Sequence, residues 1–259
     1  MMRWLLPAAG VLSLAVLAVL SLPARLLPRL VDDDVLRLAG VSGTLLEGSA
    51  ARALLPTPAG LLHLGRLSWN VHPASLLTLS PRISLRSRWG AQQLTAELRV
   101  DGRRLELTDV EANVDAQLLR TLMPVAAGGR ISLQFERLLL DNGLPLDAEG
   151  RVVWQDARWQ ASQVAYALGT YVAVVTRAAG PTPATPENVA LRARIETLAG
   201  PVSAEGAATL DGPRFALDVA IRGAGRPLEA QLEQALRLIA RPEEDGYRLR
   251  LDGAFAPPP

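Results

Sequence analysis

The sequence predicts a mainly β fold: an N-terminal transmembrane helix followed by an antiparallel, meander-like twisted β-sheet domain with one or two short helices. Two observations carry this prediction. Residues 4–22 are apolar and uncharged, and the rest of the chain is dominated by short runs that alternate apolar and polar residues between Gly, Pro, Asn and Asp. The first pattern is typical of a membrane span and the second of half-buried strands. Because the chain contains no cysteine, burial and strand pairing must stabilise the fold without disulfides.

The apolar segment 4–22 is the first predicted element. As a helix it reaches about 30 Å, which is the thickness of a bilayer core. Arg3 precedes it and Arg25 follows it, while Trp4 suits an interfacial position. The alternative is a cleaved signal peptide, which would occupy the same place, but residues 19–24 match a small-x-small cleavage site poorly. We expect a retained anchor.

Domain boundaries follow from this anchor. A tail of residues 1–3 is too short to be the exported part, so we expect it to be cytoplasmic and the large domain to lie outside the cytoplasm. Residues 23–39 are predicted to form a juxtamembrane linker, residues 40–255 a β-rich domain, and residues 256–259 a disordered tail. The stretch GPTPATP at 180–186 marks an internal break, which is either a loop or a linker between two halves.

Strands are predicted by period-two alternation. The clearest is at residues 93–100, and Asp101-Gly102 separates it from residues 105–107, which is a β-hairpin signal. Further strands are predicted around residues 82–89, 131–135, 152–154, 191–195, 215–221 and 247–251. Such a meander has one apolar face and one solvated face.

Two helices are expected to interrupt the strands. In residues 227–240, one stripe of the helix holds Leu228, Leu232, Ala235, Leu236 and Ile239. Pro227 is suited to the first turn and Pro242 closes the end. A shorter candidate lies between Asp115 and Leu122 and is ended by Pro124.

Composition argues against several functions. A net charge of +1 gives no electrostatic case for nucleic acid binding. The absence of cysteine removes thiolate nucleophiles and Cys-based zinc or iron–sulfur sites. His63 and His72 are the only histidines and no G-x-S-x-G elbow is present, so we assign both to surface or edge-strand positions. We therefore expect no enzyme, no catalytic residue, no cofactor and no metal.

Other polar or aromatic features are also assigned structural roles. Residues 32–34 are three aspartates just past the predicted span, which favours a solvated spacer over a cation site. Gly128-Gly129 precedes a predicted strand rather than a helix, so it indicates a turn and not a phosphate loop. The tryptophans in or beside strands are expected to pack on the apolar face, with a binding groove as the alternative; they are Trp69, Trp89, Trp154 and Trp159. Alternation cannot distinguish a filled core from an open face, so no binding residue is named.

Several short motifs, taken in their order, carry a family resemblance. They are Leu38-Ala39-Gly40-Val41-Ser42-Gly43-Thr44-Leu45, Gly48-Ser49-Ala50, Leu64-Gly65-Arg66-Leu67-Ser68-Trp69 with Pro73 and Leu76-Leu77, Gly129-Arg130-Ile131-Ser132-Leu133, Gly150-Arg151-Val152-Val153-Trp154, Leu168-Gly169-Thr170-Tyr171, and Gly246-Tyr247. Together they resemble the type II secretion system protein N family, also called general secretion pathway protein N. Leu46 departs from the pattern, since a Trp is expected after the Gly-Thr turn.

The resemblance implies a single-pass protein of the inner membrane of Gram-negative bacteria, with its C-terminal domain in the periplasm. It implies a non-enzymatic accessory or scaffold component that supports export of folded proteins across the outer membrane and has no cofactor. The implied partners are other type II secretion subunits, in the inner-membrane platform or the outer-membrane secretin. The alternative is a membrane-anchored periplasmic lipid-handling β-domain. The two differ in whether the apolar face is closed by the 227–240 helix or open along its length.

Overall fold

The fold was obtained as a computed structural model. It describes residues 22–27, 36–57, 60–76, 80–102, 104–117, 127–141, 144–161, 164–177 and 190–254.

Fourteen antiparallel strands form one sheet in this part of the chain. Their order in the sheet follows the chain from β1 to β12 and then continues with β14 and β13. The strands are β1 Arg37–Gly43, β2 Glu47–Thr57, β3 Gly60–Val71, β4 Arg82–Trp89, β5 Gln92–Asp101, β6 Arg104–Asp115, β7 Ala127–Asp141, β8 Leu144–Ala161, β9 Val164–Arg177, β10 Ala190–Ala199, β11 Val202–Asp211, β12 Arg214–Gly223, β13 Arg241–Glu243 and β14 Gly246–Ala254. The mainly β, meander-like prediction is therefore confirmed.

Three short helices accompany the sheet within the described ranges: a 3-10 helix at Ala24–Leu26, α1 at Pro73–Leu76 and α2 at Ala230–Ile239. α2 confirms the helix predicted at 227–240, but begins three residues later, because Glu229 still has extended backbone angles. α1 was not predicted.

Short turns explain the simple strand order. β5 and β6 form the hairpin predicted at Asp101-Gly102, where Gly102 has a left-handed φ of 59° and Asp101 pairs with Arg104. Glycine adopts this conformation without a steric penalty. Since each such turn returns the chain beside the preceding strand, the turns alternate between two ends of the sheet. We call the end with the β1–β2 turn the near end and the end with α2 the far end.

The strand registers place apolar residues of successive strands on one face. One unbroken row of paired residues on this apolar face is Ala50, Leu67, Ser87, Leu94, Ala112, Leu133, Val152, Ala173, Ile195, Gly206, Val219 and Leu249. The neighbouring row on the polar face is Ser68, Arg86, Thr95, Glu111, Gln134, Arg151, Val174, Arg194, Ala207, Asp218 and Arg250.

The sheet curls toward its apolar face in its middle section. Some Cα atoms of β8 and β10 lie within 8 Å of each other although β9 lies between them, whereas a flat sheet would separate them by roughly 9.6 Å. Leu146 of β8 and Leu191 of β10 belong to one buried cluster there. Many of the described buried apolar residues fall into four separate clusters along the face.

Two parts of the apolar face are covered, one beside β2 and β3 at the near end and one beside β11 and β14 at the far end. At the near end, Ala24 is fully buried against Ala50 and Trp69, and Pro23 forms a β-bridge with Thr44. At the far end, α2 packs through Leu232 and Leu236.

The remaining boundary predictions have mixed outcomes. β1 begins at Arg37, inside the predicted linker 23–39, because Leu38 and Val41 pack against the cluster around Trp69. Of the helix predicted between Asp115 and Leu122, Asp115 belongs to β6 and residues 116–117 have 3-10 helical conformation, while the remainder lies outside the described residues and stays a prediction.

None of the helices in the described ranges is long and apolar enough to cross a bilayer. Almost all of the predicted span at 4–22 lies outside those ranges, as do the tail at 1–3, the break at 180–186 and the tail at 256–259. These four assignments stay predictions.

Candidate functional site

The two histidines lie near opposite ends of β3 and do not form one site. His63 lies within β3, and its ring centroid is 5.4 Å from that of Trp89. His72 follows β3 at the near end, where its Nε2 is 3.1 Å from Ser84 Oγ and 3.7 Å from Glu97 Oε2. Nine strand residues at about 3.3 Å each separate them by roughly 30 Å.

No group of three His, Asp or Glu side chains that could hold a metal ion occurs among the residues that the structure describes. The three aspartates at 32–34, predicted to be a spacer, lie outside these residues.

Gly128 and Gly129 lie inside β7, so their assignment to a turn before the strand is wrong. Gly129 has a φ of 110°, and the register shifts between Gly128 and Arg130. This is a β-bulge in which Asp156 and Ala157 of β8 lie opposite Gly129 alone. A Cβ at Gly129 would meet the carbonyl oxygens of Gln155 and Asp156 at 2.6 Å, so glycine at this position allows β7 to fit the bulge. Nearby, the carbonyl oxygen of Gly128 accepts a hydrogen bond from Trp154 Nε1 at 3.0 Å.

The tryptophans mostly pack as predicted. Trp69 is 7% exposed, and its Nε1 donates to the carbonyl oxygen of Leu45 at 3.1 Å. Trp154 is half-buried and lies 6.1 Å from Tyr171, measured between ring centroids. Trp89 differs, because 44% of it is exposed at the far end. A partner could contact Trp89 without any rearrangement of the sheet.

A polar network joins α2 to β14. Glu233 Oε1 accepts hydrogen bonds from Arg237 Nη2 at 2.8 Å and from the Tyr247 hydroxyl at 2.9 Å. These two donors, with Arg237 the stronger, hold the pKa of the Glu233 carboxyl below its usual range. The outer surface of the helix is apolar at its end, where Leu238 is 84% exposed.

A second network lies on the polar face across β12 and β14. Asp218 accepts from Arg248 Nε at 2.5 Å and from Arg250 Nε at 3.1 Å. The hydrogen bond from Arg248 is the main reason why the pKa of Asp218 is lowered. Such exposed pairs add little stability, so we interpret this one as fixing the register of the last strands.

The β1 edge carries backbone groups that β2 does not use. Thr44 N–H donates to the Glu47 carbonyl at 2.8 Å. Because hydrogen-bonded and non-bonded pairs alternate along an antiparallel ladder, Ala39 and Val41 point their N–H and C=O groups away from β2.

The other edge of the sheet is also partly open. β13 pairs only with Gly246–Arg248, so the remainder of β14 has no partner strand on that side within the described residues.

Arg177 interrupts the apolar face at the near end of β9. Tyr171, Ala173, Val175 and Arg177 share one parity along this strand, and Arg177 pairs with Leu191, which is buried in the apolar cluster. Sequence analysis did not single out this residue, although a charge that ends an apolar parity series was the available signal.

Comparison with known proteins gives one match. No curated protein and no solved structure matches this chain. The family model for type II secretion system (T2SS) protein N matches residues 34–250, which is well over half of the chain and runs from before β1 into β14. The chain belongs to the type II secretion system protein N family.

Proposed function

We propose that this protein is a non-enzymatic accessory component of the type II secretion system in the inner membrane. In this proposal residues 4–22 anchor the chain as a single span, and the sheet lies in the periplasm. It supports export of folded proteins across the outer membrane by contacting other subunits of the apparatus. The observation that carries the proposal is the family match over residues 34–250.

The position of the N-terminal segment suggests how the sheet would stand on the membrane. The bridge between Pro23 and Thr44 holds this segment at the near end, so a span that ends at Leu22 would leave the sheet there. β8 has 18 residues and extends over roughly 60 Å at about 3.3 Å per residue. The far end, with the exposed Trp89 and Leu238, would then point away from the membrane toward partners in the periplasm.

Strand addition at β1 is the contact that the geometry favours. Its outward backbone groups at Ala39 and Val41 offer a partner strand the hydrogen bonds of one more ladder. A contact of this kind needs no catalytic group, and anchoring in the same membrane raises the effective concentration of the partners.

Deletion of the gene tests the proposed function. We expect loss of exoprotein secretion, restored by the wild-type chain, and crosslinks from the complemented protein to other subunits of the secretion system. Normal secretion in the deletion strain would overturn the proposal.

A pair of substitutions at one position tests strand addition. Ala39→Pro removes an outward N–H while leaving the ladder with β2 intact, because proline is tolerated at such edge positions. We expect it to reduce crosslinking to the partner several-fold, while Ala39→Val, which keeps the N–H, retains it. Equal crosslinking by both variants would show that the partner does not pair with β1.

The membrane placement has its own test. We expect the protein to remain in the membrane pellet after alkaline carbonate extraction, and the sheet to be digested by protease only when the outer membrane is opened. Release of the full-length protein into the soluble fraction would contradict the anchor.

A further inference from the structure

The apolar face is the largest unexplained surface of the molecule. Within the described residues it extends across twelve consecutively paired strands, from β2 to β12 and β14. Helices cover it there only beside β2 and β3 at the near end and beside β11 and β14 at the far end. In its middle most long apolar side chains stay half-buried, including Leu94, Leu133, Val152 and Leu217. Leu146 is the one large side chain in the described part that is almost fully enclosed.

The curl of the sheet turns the middle of this face into a trough. Because β8 and β10 approach each other on the apolar side, the face is concave here, and Leu146 and Leu191 are buried beneath its surface. The residues packed against this pair are only partly buried, so an occupant would contact them; they are Phe135, Leu138, Leu139, Val175 and Leu210. An occupant of the trough would therefore contact aliphatic and aromatic carbon almost exclusively.

This chemistry favours a hydrocarbon chain over a polypeptide. An extended peptide laid across the face would bury its own N–H and C=O groups against side chains that cannot hydrogen-bond them, at a cost of several kcal/mol per group in the least favourable case. A hydrocarbon chain carries no such groups and gains about 0.8 kcal/mol for each buried methylene.

A positive charge at the near end indicates that the polar part of such a ligand is anionic. In the described strands β4–β12, Arg177 is the one charged residue that pairs in register with the apolar face. It is exposed and stands beside Val175 and Leu191, at the near end of the trough. A guanidinium in this position would bind phosphate or carboxylate oxygens, which form forked hydrogen bonds with it.

The chain outside the structure points to the source of such a ligand. Residues 22–27 lie at the near end, and the uncharged segment 4–22 precedes them. Arg177 therefore lies at the same end of the strands as the point from which the predicted membrane span would leave the sheet.

We propose that the apolar face binds an anionic membrane lipid, with an acyl chain in the trough and the head group at Arg177. The inference rests on the membrane placement in the proposed function, but not on any contact with secretion subunits.

The test is site-specific photocrosslinking of the full-length protein, extracted with its surrounding lipid in polymer nanodiscs. Val175 and Val174 are adjacent valines that face the trough and the polar side, respectively. We expect Val175→p-benzoylphenylalanine to give a lipid adduct, detected by intact mass, and Val174→p-benzoylphenylalanine to give at least several-fold less. Val152 and Val153 are a second pair of the same kind, which protects the test against misfolding of one variant.

The same assay tests whether the charge of Arg177 contributes to lipid binding. Arg177→Gln should lower the yield of anionic lipid adduct several-fold, while Arg192→Gln, on the polar face of the adjacent strand, should leave it unchanged. Equal lipid adducts on both faces, or protein adducts alone from the trough positions, would overturn the proposal. Loss of secretion on gene deletion together with such a result would leave the proposed function standing and reject lipid binding.

Discussion

At the scale of single residues, Tyr171 is a sensitive reporter of packing on the apolar face. It is 9% exposed, and its hydroxyl donates to the carbonyl oxygen of Val202 at 2.9 Å. Tyr171→Phe removes this donor and leaves the carbonyl unpaired, so we expect a loss of about 1 kcal/mol in the free energy of unfolding. Urea denaturation at neutral pH measures it.

The same residue predicts a pH dependence with a definite sign. Burial raises the pKa of Tyr171 to about 12, compared with about 10 in an unfolded chain. Between these values the unfolded state releases a proton that the folded state keeps, so stability is full below pH ~10 and falls as the pH rises toward 12. In the Tyr171→Phe variant, the free energy of unfolding should decrease less steeply between pH ~10 and 12, because no tyrosine hydroxyl titrates at this position. Identical slopes for both proteins would show that the hydroxyl is not buried.

Glycine at position 206 permits a close approach between β11 and β12. A Cβ there would clash with the backbone of Asp218 and Val219, and backbone cannot move aside as a flexible side chain does. We expect Gly206→Ala to cost about 1–3 kcal/mol. The control is Gly128→Ala, whose Cβ would meet Arg158 Cβ at an ordinary 3.7 Å. Thermal unfolding measures the melting temperatures of both variants. Equal melting temperatures would contradict the close approach of β11 and β12 at Gly206.

At the scale of elements, α2 should behave as a separable cover on the far end. Its buried contacts come from Leu232 and Leu236, whereas Leu238 is 84% exposed. Leu236→Ala should destabilise the docked helix by about 2–3 kcal/mol, while Leu238→Ala should change little. Hydrogen exchange should show faster exchange in α2 and the start of β14 for Leu236→Ala, with β5–β8 unchanged. Faster exchange throughout the sheet would mean that α2 is part of one cooperative core.

Elements also show where sequence reasoning succeeds and where it fails. Alternation located β4, β5 and the hairpin after it, because a half-buried strand has only two kinds of position. Bulges defeat the same rule: Asp109 and Asp156 have left-handed φ values of 50° and 48°, and each shifts the parity of the residues that follow. The glycines of β7 that lie opposite the bulge at Asp156 were assigned to a turn because they precede the alternating run at residues 131–135.

At the scale of the whole molecule, the order of the sheet followed from the sequence but its openness did not. Short turns between alternating runs leave a meander as the simplest topology, and the structure has it. Whether a second layer covers the apolar face is not encoded in alternation, since a filled core and an open trough need the same apolar residues. The curl between β8 and β10 accompanies the burial of Leu146 and Leu191 in one cluster, and these two residues are far apart in sequence.

A single-layer meander should unfold progressively from its edges. Each strand pairs only with its sheet neighbours, so stability is close to a sum of nearest-neighbour terms, as in repeat proteins. β7 and β8 are the longest strands, with 15 and 18 residues, and lie in the middle. We expect hydrogen exchange of the full-length protein to be slowest there and progressively faster toward β1 and β13, with broad denaturant transitions of low slope. Uniform protection that is lost in one step would show instead that the sheet folds as a single cooperative unit.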